Sequence, residues 1–159
     1  MIAGLSTIGV LFGYGIETTA GTQPTAFTTL NRINQIGGIS IDVETIDASA
    51  LEDAIERSVA GRGSTGGTFP VTVNLTQETV AEWKALIEAS KAAKAEGKST
   101  WFEVYHPQMA EGFFIVAEPP TIIPMPDTDQ NSLWTVEMTL TINDYKGLVT
   151  AVKLETKAE

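Results

Sequence analysis

The chain has 159 residues, enough to bury a core, and its 43% hydrophobic and 19% charged content fits a globular fold rather than a disordered one. It has no cysteine, which excludes disulfide frameworks and thiolate metal sites. Ten Lys and Arg against twenty Asp and Glu give a net charge of -10, which argues against a phosphate-binding surface. No basic residue precedes Arg32, so a secretory signal is not expected. The apolar run from Ile8 to Phe12 is too short to span a bilayer. These features predict a soluble chain made in a cytoplasm, with no membrane partner.

No composition break divides the chain, so a single domain over 1–159 is expected. Its N-terminal arm covers about 1–30, its long loop about 47–68 and its frayed tail 150–159. Gly13 to Gln35 is rich in Gly, Thr and Asn and reads as loop and short strand, with Pro24 breaking any helix. Ile39, Ile41 and Val43 alternate with Ser40, Asp42 and Glu44, the period of two that marks a strand. Ser49 to Arg57 reads as a short helix or a turn. Gly61-Arg62-Gly63-Ser64-Thr65-Gly66-Gly67 carries four glycines in seven residues and reads as a mobile hairpin loop or arm. Phe69 to Leu75 alternates again.

Thr76 can cap a helix, with Glu78 favourably placed in its first turn. Val80, Trp83, Leu86 and Ile87 form its apolar stripe, Glu82, Lys84, Glu88 and Lys91 its polar face, and Gly97 its exit. Trp101–Tyr105 and Gly112–Ala117 flank a turn at His106-Pro107-Gln108 and predict a hairpin. Glu118 to Pro126 is a stiff, proline-broken connection. In Leu133–Ile142 one face holds Trp134, Val136, Met138, Leu140 and Ile142. The other holds Thr135, Glu137, Thr139 and Thr141. The expected class is α+β, mainly β, with antiparallel sheets forming a sandwich or partial barrel and one packed α-helix.

Chemistry is sparse. Gly61, Gly63 and Gly66 spell G-x-G-x-x-G, but a strand-like stretch follows where a dinucleotide site needs a helix. His106 is the sole histidine and reads as a surface turn residue. Asp127-Thr128-Asp129 lacks the spaced oxygens of a calcium loop. Asp42, Glu44, Asp47, Glu52, Asp53 and Glu56 are numerous enough for a carboxylate pair, yet such clusters are usually solvated faces. Asn74-Leu75-Thr76 matches a glycosylation acceptor, which has no meaning without secretion. The three tryptophans, Trp83, Trp101 and Trp134, are expected in the core. No catalytic, metal or cofactor residue is assigned, and the chain is not expected to be an enzyme.

Several segments in order resemble the major tail tube proteins of long-tailed bacteriophages. They are Gly13-Tyr14-Gly15-Ile16-Glu17-Thr18-Thr19-Ala20-Gly21-Thr22, then Leu30 to Ile39, then Ile41 to Ser49 and Val59-Ala60-Gly61. Gly66-Gly67 leading into a strand, the helix from Thr76, and a final strand ending Ile142-Asn143-Asp144-Tyr145-Lys146-Gly147 follow. The resemblance spans roughly Gly13 to Gly147 and rests on order and spacing. The Gly61–Gly67 stretch departs from the family's usual loop signature.

The resemblance implies hexameric rings that stack into a hollow tube for DNA ejection, in a virion tail assembled in the host cytoplasm. Its implied partners are further copies of the chain, a tape-measure protein, a tail terminator and a distal tail protein. DNA passes without specific binding. It assigns Gly61, Arg62, Gly63, Ser64, Thr65, Gly66 and Gly67 to contacts between rings. Asp42, Glu44, Thr135, Glu137 and Thr139 face a negative lumen that repels phosphate. The competing readings are a carbohydrate- or receptor-binding β-sandwich, a carboxylate hydrolase, a tail terminator, and a tube subunit of a related injection or secretion machine.

Overall fold

The computed structural model describes residues 3–154. Strands β1 (Leu11–Ile16), β2 (Thr28–Leu30), β3 (Ile33–Ile36), β4 (Asp42–Asp47), β5 (Ser58–Ser64) and β6 (Thr68–Asn74) come first. Helix α1 (Gln77–Ala95) follows, then β7 (Thr100–Tyr105), β8 (Glu111–Glu118) and β9 (Thr135–Thr150). Seven strands form one antiparallel sheet in the order β2-β1-β7-β8-β9-β6-β3, while β4 and β5 pair only with each other.

The sheet must curl. Laid flat, seven strands would hold β2 and β3 roughly 29 Å apart. Only Asn31 and Arg32 separate those two edge strands in sequence, and such a link reaches about 11 Å. The edges therefore approach each other without pairing, which gives an open barrel. Arg32 turns the corner with φ 56°, and Glu82 of the helix clamps it. The Asn31 backbone N–H donates to Glu82 Oε2 at 3.0 Å and its side-chain amide to Oε1 at 2.7 Å.

The concave side holds the main core: Phe12, Phe69, Val71, Val73, Phe102, Ile115, Val136, Met138 and Leu140 from the strands, with Trp83 and Leu86 from α1. Phe12 stacks on Phe102 with ring centroids 5.6 Å apart. The helix starts where its sequence signals. The Thr79 N–H donates to Thr76 Oγ1 at 3.1 Å, and the Thr76 N–H donates to Thr79 Oγ1 at 2.9 Å. It ends at Gly97, whose φ of 76° suits glycine. The Lys98 N–H then reaches Ala93 O at 2.8 Å and the Gly97 N–H reaches Lys94 O at 3.1 Å, the paired bonds of a Schellman exit.

The structure adds three early strands where loop and short strand were expected, and corrects other readings. β9 runs on to Thr150 instead of ending at Ile142. Register shifts between β8 and β9, with Gly147 at φ 72°, absorb the turn-like Asn143 to Gly147 within the ladder. Positions 151, 152 and 154, expected in the frayed tail, are tied to the fold. The Ala151 N–H donates to Ala110 O at 3.0 Å, the Val152 N–H to Glu103 Oε2 at 2.9 Å, and Leu154 is buried. The rest of that tail, 155–159, lies outside the described residues. Trp134 is not a core residue. It sits one position before β9 begins, beyond the cover of β6, and is 52% exposed.

A second apolar cluster of Trp101, Phe114 and Val116 lies on the opposite face of the sheet, with Phe27, Val149 and Val152 packed on it. Between Trp101 and Tyr105 this face also carries Glu103, which is 0% exposed. Val152 offers it one N–H, while Glu103 Oε1 has no hydrogen-bond partner. Burial pushes the carboxyl up to about 7 and the Val152 bond opposes this only in part.

Candidate functional site

Two surfaces carry the residues expected to act. The first is the polar face of the large sheet. Along β9, Val136, Met138 and Leu140 turn into the core, so Thr135, Glu137, Thr139 and Thr141 must turn out. Their partners on β6 are Asn74, Thr72, Pro70 and Thr68 respectively. The result is a threonine-rich wall with Glu137 set among hydroxyls, bordered at the start of β9 by the segment that joins β8 to β9.

The second surface is an arm. β3 and β6 are antiparallel neighbours, and the Gly37 N–H reaches Pro70 O at 2.8 Å. A tight turn could have joined them. The chain instead leaves the sheet after β3, forms the β4–β5 hairpin, and returns to β6. Every residue of β4 is exposed, and β5 is exposed except at Gly61. Ile41, Val43, Ile46, Leu51, Ile55 and Val59 are all exposed here, with Leu51 and Ile55 in the tip.

The tip is tied locally. The Ser49 N–H donates to Asp47 Oδ1 at 2.9 Å, which with the Ser49 hydroxyl holds the Asp47 carboxyl below its ordinary range. The Arg57 N–H donates to Ser49 Oγ at 2.8 Å, and Arg57 Nε meets Asp53 Oδ1 at 3.1 Å. Ser49 to Arg57 is thus a turn-bearing loop and not a helix.

The glycine segment expected as a mobile loop is corrected by the same geometry. Gly61, Arg62, Gly63 and Ser64 belong to strand β5. A Cβ on Gly61 would stand 3.1 Å from Glu44 O, and one on Gly63 would stand 3.0 Å from Ile41 Cγ2. These glycines let Ile41, just before β4, and Ile46 within it lie across β5, so they serve close packing. Only Thr65, Gly66 and Gly67 lie between strands. Gly66 and Gly67 adopt φ 84° and 85°, and the Ile142 N–H anchors the turn at Gly67 O at 2.7 Å.

The predicted residues therefore divide between the two surfaces. Thr135, Glu137 and Thr139 share the wall. Asp42 and Glu44 stand on the arm, in a different sheet, Asp42 opposite Ser64 and Glu44 at the register shift between Val43 and Thr45. His106 follows β7, with Nε2 at 2.9 Å from Ser6 O and Nδ1 accepting the Gln108 N–H at 3.1 Å, so it organises a turn.

Two acids escaped sequence reasoning. Glu17 is buried, accepts the Ser99 N–H at 2.6 Å and donates its own N–H to Ser99 O at 3.2 Å. Glu103 carried a readable signal, a single acid inside the apolar strand Trp101–Tyr105.

The sequence matches no family profile and no curated protein. Its backbone, however, superposes on a chain in the tail of an empty gene transfer agent particle refined with C6 symmetry. The TM-score is 0.56 at 16% identity, covering 93% of this chain and 99% of that one. A chain of the virion of a native gene transfer agent particle matches with TM-score 0.55 and 15% identity over 93% and 99% of the two lengths. The chain shares its fold with these chains of gene transfer agent particles. At such identity the likeness resides in the fold, and it extends over nearly the whole length of both chains.

Proposed function

We propose that the chain is a structural subunit of a phage-like tail tube, which joins copies of itself into stacked six-membered rings around a channel for DNA. The observation that carries this reading is the arm. A two-stranded hairpin is marginally stable alone in water, and this one displays six large apolar side chains that its own chain does not cover. A neighbouring copy supplies the cover. The arm and the surface it meets are different parts of the chain, so the contact is head-to-tail and propagates into a ring or a stack. The likeness to a tail chain with C6 symmetry supports six copies per ring.

On this reading Gly61–Gly67 shapes the arm for ring-to-ring contact, and Thr135, Glu137 and Thr139 line the bore. This wall carries negative charge and no Lys or Arg, so it repels phosphate and DNA slides past. Tape-measure, terminator and distal tail proteins are the partners that such a tube requires, and the virion tail is its location after assembly in the host cytoplasm.

The test is electron microscopy of the purified chain over a concentration series, beside a variant in which residues 42–64 are replaced by a short turn. Since β3 already pairs with β6, the variant should keep its helix signal and melt within a few degrees of the parent. The parent should give rings or hollow tubes and the variant only monomers. Tubes from the armless variant would overturn the role of the arm, and compact monomers of the parent at every concentration would overturn the assembly reading.

A further inference from the structure

We propose that the segment between β8 and β9 forms a docking cleft for a cationic protein segment, one presenting Arg or Lys in an extended stretch. The cleft, of about 620 Å³, opens where this segment passes over the outer face of β6 and the start of β9. Met125, Leu133 and Trp134 form its apolar part, and Asp127, Asp129 and Glu137 its charged part. None of the residues lining it is basic. Trp134 is half exposed and Met125 and Leu133 largely exposed, so three large apolar side chains meet water beside three carboxylates.

That combination selects one ligand chemistry. An indole face attracts a guanidinium or ammonium through its quadrupole. The carboxylates that line the same cleft complete the charge-assisted bonds that a guanidinium can make, and its aliphatic stem can cover Met125 and Leu133. An anionic or neutral polymer gains none of this. Pro124 and Pro126 fix φ at two positions on one side of the cleft, and the Leu75 N–H holds Trp134 O at 2.9 Å on the other, which lowers the ordering cost at those positions.

Glu137 belongs both to this cleft and to the polar wall. The proposal goes beyond the tube reading and does not need it, because the cleft is complete in a single chain. Where the tube reading also holds, the cleft faces the channel. The same negative field then rejects nucleic acid and retains a basic protein segment.

The experiment uses the full chain, kept dilute enough to stay unassembled, and fluorescein-labelled oligo-arginine and oligo-glutamate peptides read by anisotropy. Oligo-arginine should bind, more weakly as salt rises, and oligo-glutamate should not. Trp134→Ala keeps every charge and should weaken oligo-arginine binding about tenfold. Glu137→Gln with Asp129→Asn should weaken it by at least as much. The triple variant Glu52→Gln, Asp53→Asn, Glu56→Gln removes three carboxylates from the arm and should leave affinity within about twofold. If Trp134→Ala binds like the parent, or the arm variant loses as much as the cleft variant, attraction is diffuse and the cleft assignment fails. Loss of tube formation with retained peptide binding would sink the tube reading alone.

Discussion

Glu103 is the residue whose chemistry departs furthest from its ordinary state. Its carboxyl is closed in beneath Val152 with one oxygen unpartnered, and its pKa rises from 4.5 to about 7. The acid form fits this site, whereas the unfolded chain ionises near the ordinary value. Its contribution to stability is therefore fully present below pH 4.5 and is lost as pH rises through about 7. The loss is on the order of 3 kcal/mol. Glu103→Gln removes the titration. Denaturant midpoints measured from pH 4.5 to 8 should fall with pH for the parent relative to the variant, and parallel curves would exclude this assignment. Composition could not reveal such a group. The strand Trp-Phe-Glu-Val-Tyr shows an acid on one of its two faces, but only the return of the chain at Val152 shows that this face is covered.

At the scale of elements, legibility depended on whether local signals and packing agreed. Thr76, the stripe through Trp83 and Leu86, and Gly97 all point to one helix, and α1 has those limits. Thr76→Ala should cost about 1 kcal/mol by removing the reciprocal cap, measurable as a lowered urea midpoint with an unchanged slope. β6 and β9 were equally legible because each alternates against a covered face. The arm was not, since a two-stranded excursion exposes both faces and alternation there has no core side to report. Ile39, Ile41 and Val43 looked like a core stripe, yet Ile41 and Val43 are exposed on the arm. The glycines misled for a related reason. Gly61 and Gly63 are small because Glu44 and Ile41 cross over them. Gly61→Val should force the hairpin apart at the Glu44 carbonyl, lowering assembly at least tenfold in sedimentation while leaving the thermal midpoint of the subunit within a few degrees. An unchanged sedimentation profile would show that the close approach is not needed.

At the scale of the whole molecule, the sheet has a covered side and a polar wall where β6 pairs with β9, while at β7 and β8 the outer face carries the Trp101, Phe114 and Val116 cluster, and the arm projects between β3 and β6. A tube built from such units must place the wall either on its bore or on its exterior, and the chain's lack of cysteine makes the choice measurable. Glu137→Cys introduces a unique thiol on the wall opposite Thr72, and Asp42→Cys introduces one on the arm opposite Ser64. Both side chains are exposed in the free subunit, so both should react with a small maleimide and with a bulky polyethylene glycol maleimide. In assembled tubes the wall thiol should keep its reactivity toward the small reagent, which enters the bore, and lose it toward the bulky one, which does not. The arm thiol separates two further arrangements. Protection from both reagents means that the arm is sandwiched between rings, and a pattern like that at Glu137 means that Asp42 joins the bore. Bulky labelling of Glu137→Cys in intact tubes at the rate of the free subunit would place the wall outside, and the electrostatic account of DNA passage would go with it.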